Sequence, residues 1–151
     1  MNNKIIDFLI EAKKNTYAGK GSETTSSRLF SHDLKYEKDN LLYYDSYLGN
    51  DNFSGTEALW LDNKPIWSMN YIGRVLDKEN FSGDFLKEAL LCVSRDYPYR
   101  GPYYYQNGDF EYKMMVDGKF DFFTGKEVIL YKSKIIYECN FHGGIVSDKM
   151  L

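Results

Sequence analysis

The chain has 151 residues, a formal charge of −3 and a pI near 5.4; that length can bury a sizeable core in one domain, and the charge leaves no clustered Lys/Arg surface of the kind phosphate contact demands. Direct nucleic-acid binding is therefore not expected. Ile5-Ile6-Asp7-Phe8-Leu9-Ile10 is interrupted by an aspartate and too short for a signal peptide or a membrane span, so a cytoplasmic protein without membrane contact is expected.

The first predicted element is a helix over 4–14, where Ile5, Phe8, Leu9 and Ala12 recur at helical spacing behind Asn2 or Asn3 as a cap. Turn signals then come in quick succession: Lys38-Asp39-Asn40 and Asp62-Asn63-Lys64-Pro65, with aromatic and β-branched flanks that read as strands. A second helix over 83–95 places Phe85, Leu86, Ala89, Leu90 and Val93 behind Ser82, and Pro98 stops it. Asn107-Gly108, Asp117-Gly118 and Lys132-Ser133-Lys134 mark further hairpins, the first two being pairs suited to the positive φ of a tight turn.

The order helix, strands, helix, strands is a repeat at the level of residues. Phe53-x-Gly55-x-Glu57, Lys64-x-Ile66, Asn70 and Gly73 return seventy positions later as Phe123, Gly125, Glu127, Lys134, Ile136, Asn140 and Gly143. Asp7-Phe8-Leu9-x-Glu11-Ala12 likewise matches Asp84-Phe85-Leu86-x-Glu88-Ala89. The expected fold is α+β: one domain over 1–151 made of two tandem repeats (about 4–75 and 83–146), each one helix plus an antiparallel meander of about four strands, related by a pseudo-twofold.

The register of each repeat hairpin is then deduced. Turns at Asn63-Lys64 and Ser133-Lys134 set Trp60 opposite Trp67 and Glu57 opposite Asn70, and in the second copy Glu127 opposite Asn140. Such pairs are either duplicated clasps or the two halves of a shared site. His142 follows Asn140 on the same strand face and could be tuned by Glu127, whereas the first copy has Ile72 there.

Three other residues stand out as ligand contacts: Arg100, in Pro98-Tyr99-Arg100-Gly101-Pro102, and Arg28 and His32, in the polar stretch from Lys20 to Asp33 that makes the first copy 12 residues longer than the second. Cys92 and Cys139 have no paired or metal-ligand spacing, and nothing matches a phosphate loop, a dinucleotide fingerprint, a nucleophile elbow or a His/Cys metal set. No metal and no cofactor are expected. Aromatic content of 17% fits both a sheet core and a pocket for a ring-bearing ligand.

Taken together, Ala12-Lys-Lys-Asn-Thr16-Tyr17-Ala-Gly19, Ser31-His32-Asp33-Leu34, Tyr44-Asp45-Ser46-Tyr47-Leu48-Gly49, Trp67-Ser-Met-Asn70-Tyr71-Ile-Gly73, Pro98-Tyr99-Arg100-Gly101-Pro102 and Tyr137-Glu-Cys-Asn-Phe-His142-Gly143-Gly144 resemble an uncharacterised bacterial domain family of unknown function. In some proteins of that family the domain follows an Xre-type helix-turn-helix; this chain resembles the free-standing form. The resemblance implies a part that senses a small molecule or a protein partner, and it brings no catalytic residues. The expected function is thus non-catalytic ligand binding or sensing, with a small enzyme using Glu127 and His142, or a protein–protein interaction module, as the alternatives.

Overall fold

The computed structural model describes residues 2–149. Helix α1 (Asn3–Asn15) starts where the Asn2 side chain accepts from the Ile5 amide at 3.1 Å, satisfying one of the orphan donors of its first turn. The strands β1 (His32–Lys38), β2 (Leu41–Gly49), β3 (Asn52–Leu61) and β4 (Lys64–Val75) follow as a meander. Helix α2 (Gly83–Leu90) is capped by Ser82, whose hydroxyl accepts from the Phe85 amide at 3.1 Å. It ends five residues short of the expected Arg95, because Cys92 and Val93 donate back to Ala89 and Leu90 and tighten the last turn. A second meander comprises β5 (Tyr104–Asn107), β6 (Phe110–Lys119), β7 (Phe122–Tyr131) and β8 (Lys134–Ile145).

The strands form one antiparallel sheet in the order β1-β2-β3-β4-β8-β7-β6-β5. This corrects the expected α+β fold of two helix-plus-meander repeats: the protein is mostly β, 51% strand against 14% helix, with two short helices on one eight-stranded sheet. The cause is the pairing of β4 with β8, which runs from Trp67 opposite Ile145 to Val75 opposite Tyr137 and fuses what would have been two meanders.

The deduced registers are also corrected. The turns fall one residue earlier, at Asp62-Asn63 and Lys132-Ser133, each with positive φ at both positions, the requirement of a two-residue hairpin that follows the sheet twist. A register shift then comes between Leu59 and Trp60, and between Ile129 and Leu130. It leaves Ile66 and Ile136 as extra residues, the signature of a β-bulge. Trp67 therefore faces Leu59 rather than Trp60, Glu57 faces Met69, and Glu127 faces Cys139. Asn70 and Asn140 face Thr56 and Lys126 instead. Asp117-Gly118 is likewise not a turn but the end of β6; the chain reverses at Phe120-Asp121.

One face of the sheet is covered. Phe8, Leu9 and Ala12 of α1 and Phe85, Leu86 and Ala89 of α2 pack with Leu59, Trp67, Met69, Phe123, Ile129 and Phe141 into a single buried cluster. Strand alternation sends Thr56, Asn70, Ile72, Asn140 and His142 to the opposite, open face. No helix among the described residues is long and apolar enough to cross a membrane.

Candidate functional site

The helix-covered face is not wholly apolar. Strand alternation that turns Tyr43 and Leu59 inward also turns in Asp45 on β2, Glu57 on β3 and Glu127 on β7, which retain 6%, 3% and 0% of their exposure. An ionised carboxylate is expensive to bury unless it is paired and hydrogen-bonded. Two of the three meet that condition in parallel ways.

Lys13, at the end of α1, places Nζ 2.7 Å from Glu57 Oε1, and the Tyr43 hydroxyl donates to the same oxygen. Arg100, in the loop after α2, donates Nε and Nη2 to Glu127 Oε1 at 2.9 and 2.5 Å. Glu127 also accepts from the hydroxyls of Tyr112 and Tyr137. One short segment ties the two arrangements together: the Tyr99 carbonyl accepts from Lys13 at 2.6 Å, and the Gly101 amide donates to the Tyr112 hydroxyl at 3.0 Å. Gly101 has to be glycine, since a Cβ there would lie 2.7 Å from the Tyr112 ring.

Asp45 differs from both. Among the described residues no Lys or Arg pairs with it, and its side-chain partner is the Tyr71 hydroxyl, which donates to Oδ1 at 2.6 Å. Burial, and then the charge of Glu57, push its carboxyl up to about 7, against the opposing pull of Tyr71, Lys13 and Arg100. At the matching positions of the other meander stand Met114, opposite Glu127 as Asp45 is opposite Glu57, and Phe141, opposite Gly125 as Tyr71 is opposite Gly55. The Asp45–Tyr71 pair thus belongs to the first meander only.

Asp45 is also where the cluster opens. A cleft of about 440 Å³ has Asp45, Tyr71 and Arg100 among its lining residues, aromatic walls from Tyr17, Tyr47, Phe53, Phe81 and Tyr137, and a rim at Ser82, Gly83, Asp84 and Lys87 where α2 begins. The volume falls within the usual range for small-molecule sites. Arg100 Cζ lies 5.1 Å from the Tyr71 ring centroid and Lys87 Nζ 4.8 Å from that of Tyr17. A smaller void of about 30 Å³ between Lys13, Tyr43, Asp45, Glu57 and Arg100 has room for a water molecule.

The tyrosine hydroxyls and the cysteine thiol of this face are held in their protonated forms. Burial, reinforced by the neighbouring carboxylates, raises the hydroxyls of Tyr43, Tyr71, Tyr112 and Tyr137 well above the usual range. Burial also raises the Cys139 thiol to about 12, with Arg100 opposing.

The candidates singled out from sequence are dispersed. Glu57, Glu127 and Arg100 join the buried cluster, and Arg100 borders the cleft. Asn70, Asn140 and His142 lie on the open face, where Asn70 Oδ1 accepts from Thr56 Oγ1 at 2.8 Å. The sheet therefore separates Glu127 from His142. Arg28 donates to the Ser46 carbonyl and hydroxyl at 3.1 and 3.0 Å. His32 meets Glu23 at 2.6 Å and stacks on Tyr47 with ring centroids 4.8 Å apart, beside the cleft and outside it.

Sequence reasoning missed Asp45, Tyr71 and Lys13. A signal for Asp45 existed: in Leu41-x-Tyr43-x-Asp45-x-Tyr47 it is the one charge at the inward positions. Among the described residues there is no group of three or more His, Cys, Asp or Glu side chains arranged to hold a metal ion.

Fold and site together define an open antiparallel sheet whose helix-covered face is ionic at its centre and indented beside it. The chain belongs to the family described as Domain of unknown function (DUF5680), which matches residues 45–146. The match takes in Asp45, Glu57, Tyr71, Arg100 and Glu127 but not Lys13. No curated protein and no solved structure gives a significant match.

Proposed function

We propose that this domain is a non-catalytic binding or sensing unit, and that a small organic molecule occupies the cleft beside Asp45. The observation that carries this reading is the cleft itself: aromatic walls around a small number of polar groups, with a carboxyl that has no charge partner among the described residues. Apolar walls supply most of the binding free energy of such sites, and a few fixed polar groups orient the ligand. The protonated Tyr71 and Tyr137 hydroxyls in its wall favour recognition over nucleophilic chemistry. The matched β3–β4 and β7–β8 hairpins, with their turns and bulges seventy residues apart, support descent of both hairpins from one unit.

Gly83 supplies the test. It borders the cleft, and a Cβ at its position meets nothing within 4 Å, so the Cβ of a leucine there clashes with no neighbour and Gly83→Leu is chosen to narrow the cleft without disturbing the core. Thermal-shift screening against a metabolite library should find compounds that raise the wild-type Tm by mass action and fail to raise that of Gly83→Leu. Equal shifts in both proteins would place the ligand elsewhere.

An acid–base role for Asp45 is the second reading, favoured by a carboxyl near pKa 7 at the edge of a cleft. It requires that a bound compound be consumed by wild type and left intact by Asp45→Asn.

A further inference from the structure

We infer that the occupant of this cleft is a small organic cation, an amine, amidinium or guanidinium attached to a flat ring, whose charge pairs with Asp45. The inference rests on the cleft being a ligand site. Its basis is a mismatch in the buried charges. Three carboxyl groups lie on the covered face, and two cations answer two of them: Lys13 answers Glu57, and Arg100 answers Glu127. Among the described residues Asp45 has a hydroxyl partner only, and of the three it is the one that borders the 440 Å³ cleft.

The two cations that line the cleft are engaged in other contacts: Arg100 pairs with Glu127, and Lys87 sits over the Tyr17 ring. Two carboxylates of the lining are already paired, Asp84 with Lys20 at 3.0 Å and Asp51 with Lys78 at 3.1 Å. An anionic ligand would therefore meet the Asp45 carboxyl with little free positive charge to receive it. A cationic one would complete the missing ion pair and lie among the rings of Tyr17, Tyr47, Phe53 and Tyr71, whose faces attract positive charge.

Protonation makes the inference more specific. The groups facing Asp45 are Lys13 near the end of α1 and Tyr17 just beyond it, Tyr43 and Tyr47 on its own strand, Glu57 on β3, Tyr71 on β4 and Arg100 from the loop; Tyr137 on β8 and Lys87 and Asp84 on α2 line the cleft beyond. A bound cation favours the ionised carboxyl. Cation binding should therefore release protons near neutral pH, and affinity should rise as pH is raised through about 7.

Benzamidine, benzamide and benzoate form the probe set, alike in shape and differing in charge. Binding is followed by the amide NMR signals of Asp45, Tyr47, Gly83 and Lys87 in wild type, Asp45→Asn and Gly83→Leu. In wild type, benzamidine should bind roughly tenfold or more tightly than benzamide, the difference expected between a charged and a neutral hydrogen bond. That preference should vanish in Asp45→Asn, where the amide oxygen still accepts from Tyr71. If benzamide or benzoate shifts these signals as well as benzamidine does, the cation inference fails and the cleft remains a ligand site. If none of the three shifts them, or if Gly83→Leu binds all three unchanged, the cleft reading fails with it. The comparison within wild type stands even if Asp45→Asn does not fold.

Discussion

Tyr71 reaches Asp45 by lying across a glycine. The two residues are on β4 and β2, and between them β3 presents Gly55, where a Cβ would come within 2.4 Å of the Tyr71 hydroxyl. The bare backbone lets the ring lie flat and donate to Asp45 at 2.6 Å. In the second meander Phe141 lies over Gly125 in the same way, with no hydroxyl to donate. Gly55→Ala should therefore dislodge Tyr71 and leave the buried Asp45 carboxyl without its donor. Tyr71→Phe removes the donor more gently. Each should lose about 1–3 kcal/mol in urea unfolding, and a loss below about 0.5 kcal/mol would mean that water replaces the hydroxyl.

The raised pKa of Asp45 fixes a pH dependence with a definite sign. Its carboxyl rises from 3.8 to about 7 on folding, so between these values the folded state holds a proton that the unfolded state has lost. Stability contributed by this group is therefore full below about pH 4, falls as pH rises through 7, and is flat above. The total loss is on the order of 4 kcal/mol. Subtracting the pH profile of Asp45→Asn from that of wild type should expose this fall; a difference that is level from pH 4 to 8 would show that Asp45 titrates normally.

Glu127 is buried with Arg100, and removing one member of such a pair leaves an uncompensated charge. Glu127→Ala should cost about 3–5 kcal/mol, read from the shift of the denaturation midpoint at constant m-value. Glu127→Gln keeps acceptors for Tyr112 and Tyr137 and should cost less. A small effect of the alanine change would mean that Arg100 swings out to water through the cleft.

Trp67 is fully buried, donates Nε1 to the Phe120 carbonyl at 3.1 Å and stacks on the Phe120 ring. Trp60, one position beyond the bulge, is half-buried on the open face. Trp67→Ala should cost about 3–5 kcal/mol and Trp60→Ala distinctly less. Equal losses would contradict the register that the bulge imposes.

The segment before β1 is braced although it is polar. Buried Asp33 accepts from the Ser27 amide and from the hydroxyls of Ser31 and Ser46. These bonds hold up a turn in which Phe30 is 86% exposed with φ +58°, a left-handed conformation that costs a non-glycine residue about 1–2 kcal/mol. Phe30→Gly should raise stability by up to about 1 kcal/mol. Asp33→Ala should instead make the chain sensitive to chymotrypsin at Phe30, and unchanged cleavage would show that Asp33 does not hold the turn.

What the sequence determined by itself was local. Helical spacing with Asn2 and Ser82 as caps placed the starts of both helices, and the turn residues between aromatic runs located four of the six hairpins to within a residue, missing the reversals after β2 and β6, because caps and tight turns depend on a few neighbouring residues. The seventy-residue correspondence also pointed to Glu57 and Glu127 as a matched pair. Partners and faces were decided by the tertiary structure. A bulge adds one residue, and one residue is enough to send Asn70 and Asn140 to the face opposite the glutamates, since side chains alternate with period two. The pairing of β4 with β8, which makes one sheet of two meanders, carries no turn to announce it. Lys13, Asp45 and Arg100 come from a helix end, a strand and a loop, and they acquire a common site only when the helices close over that sheet.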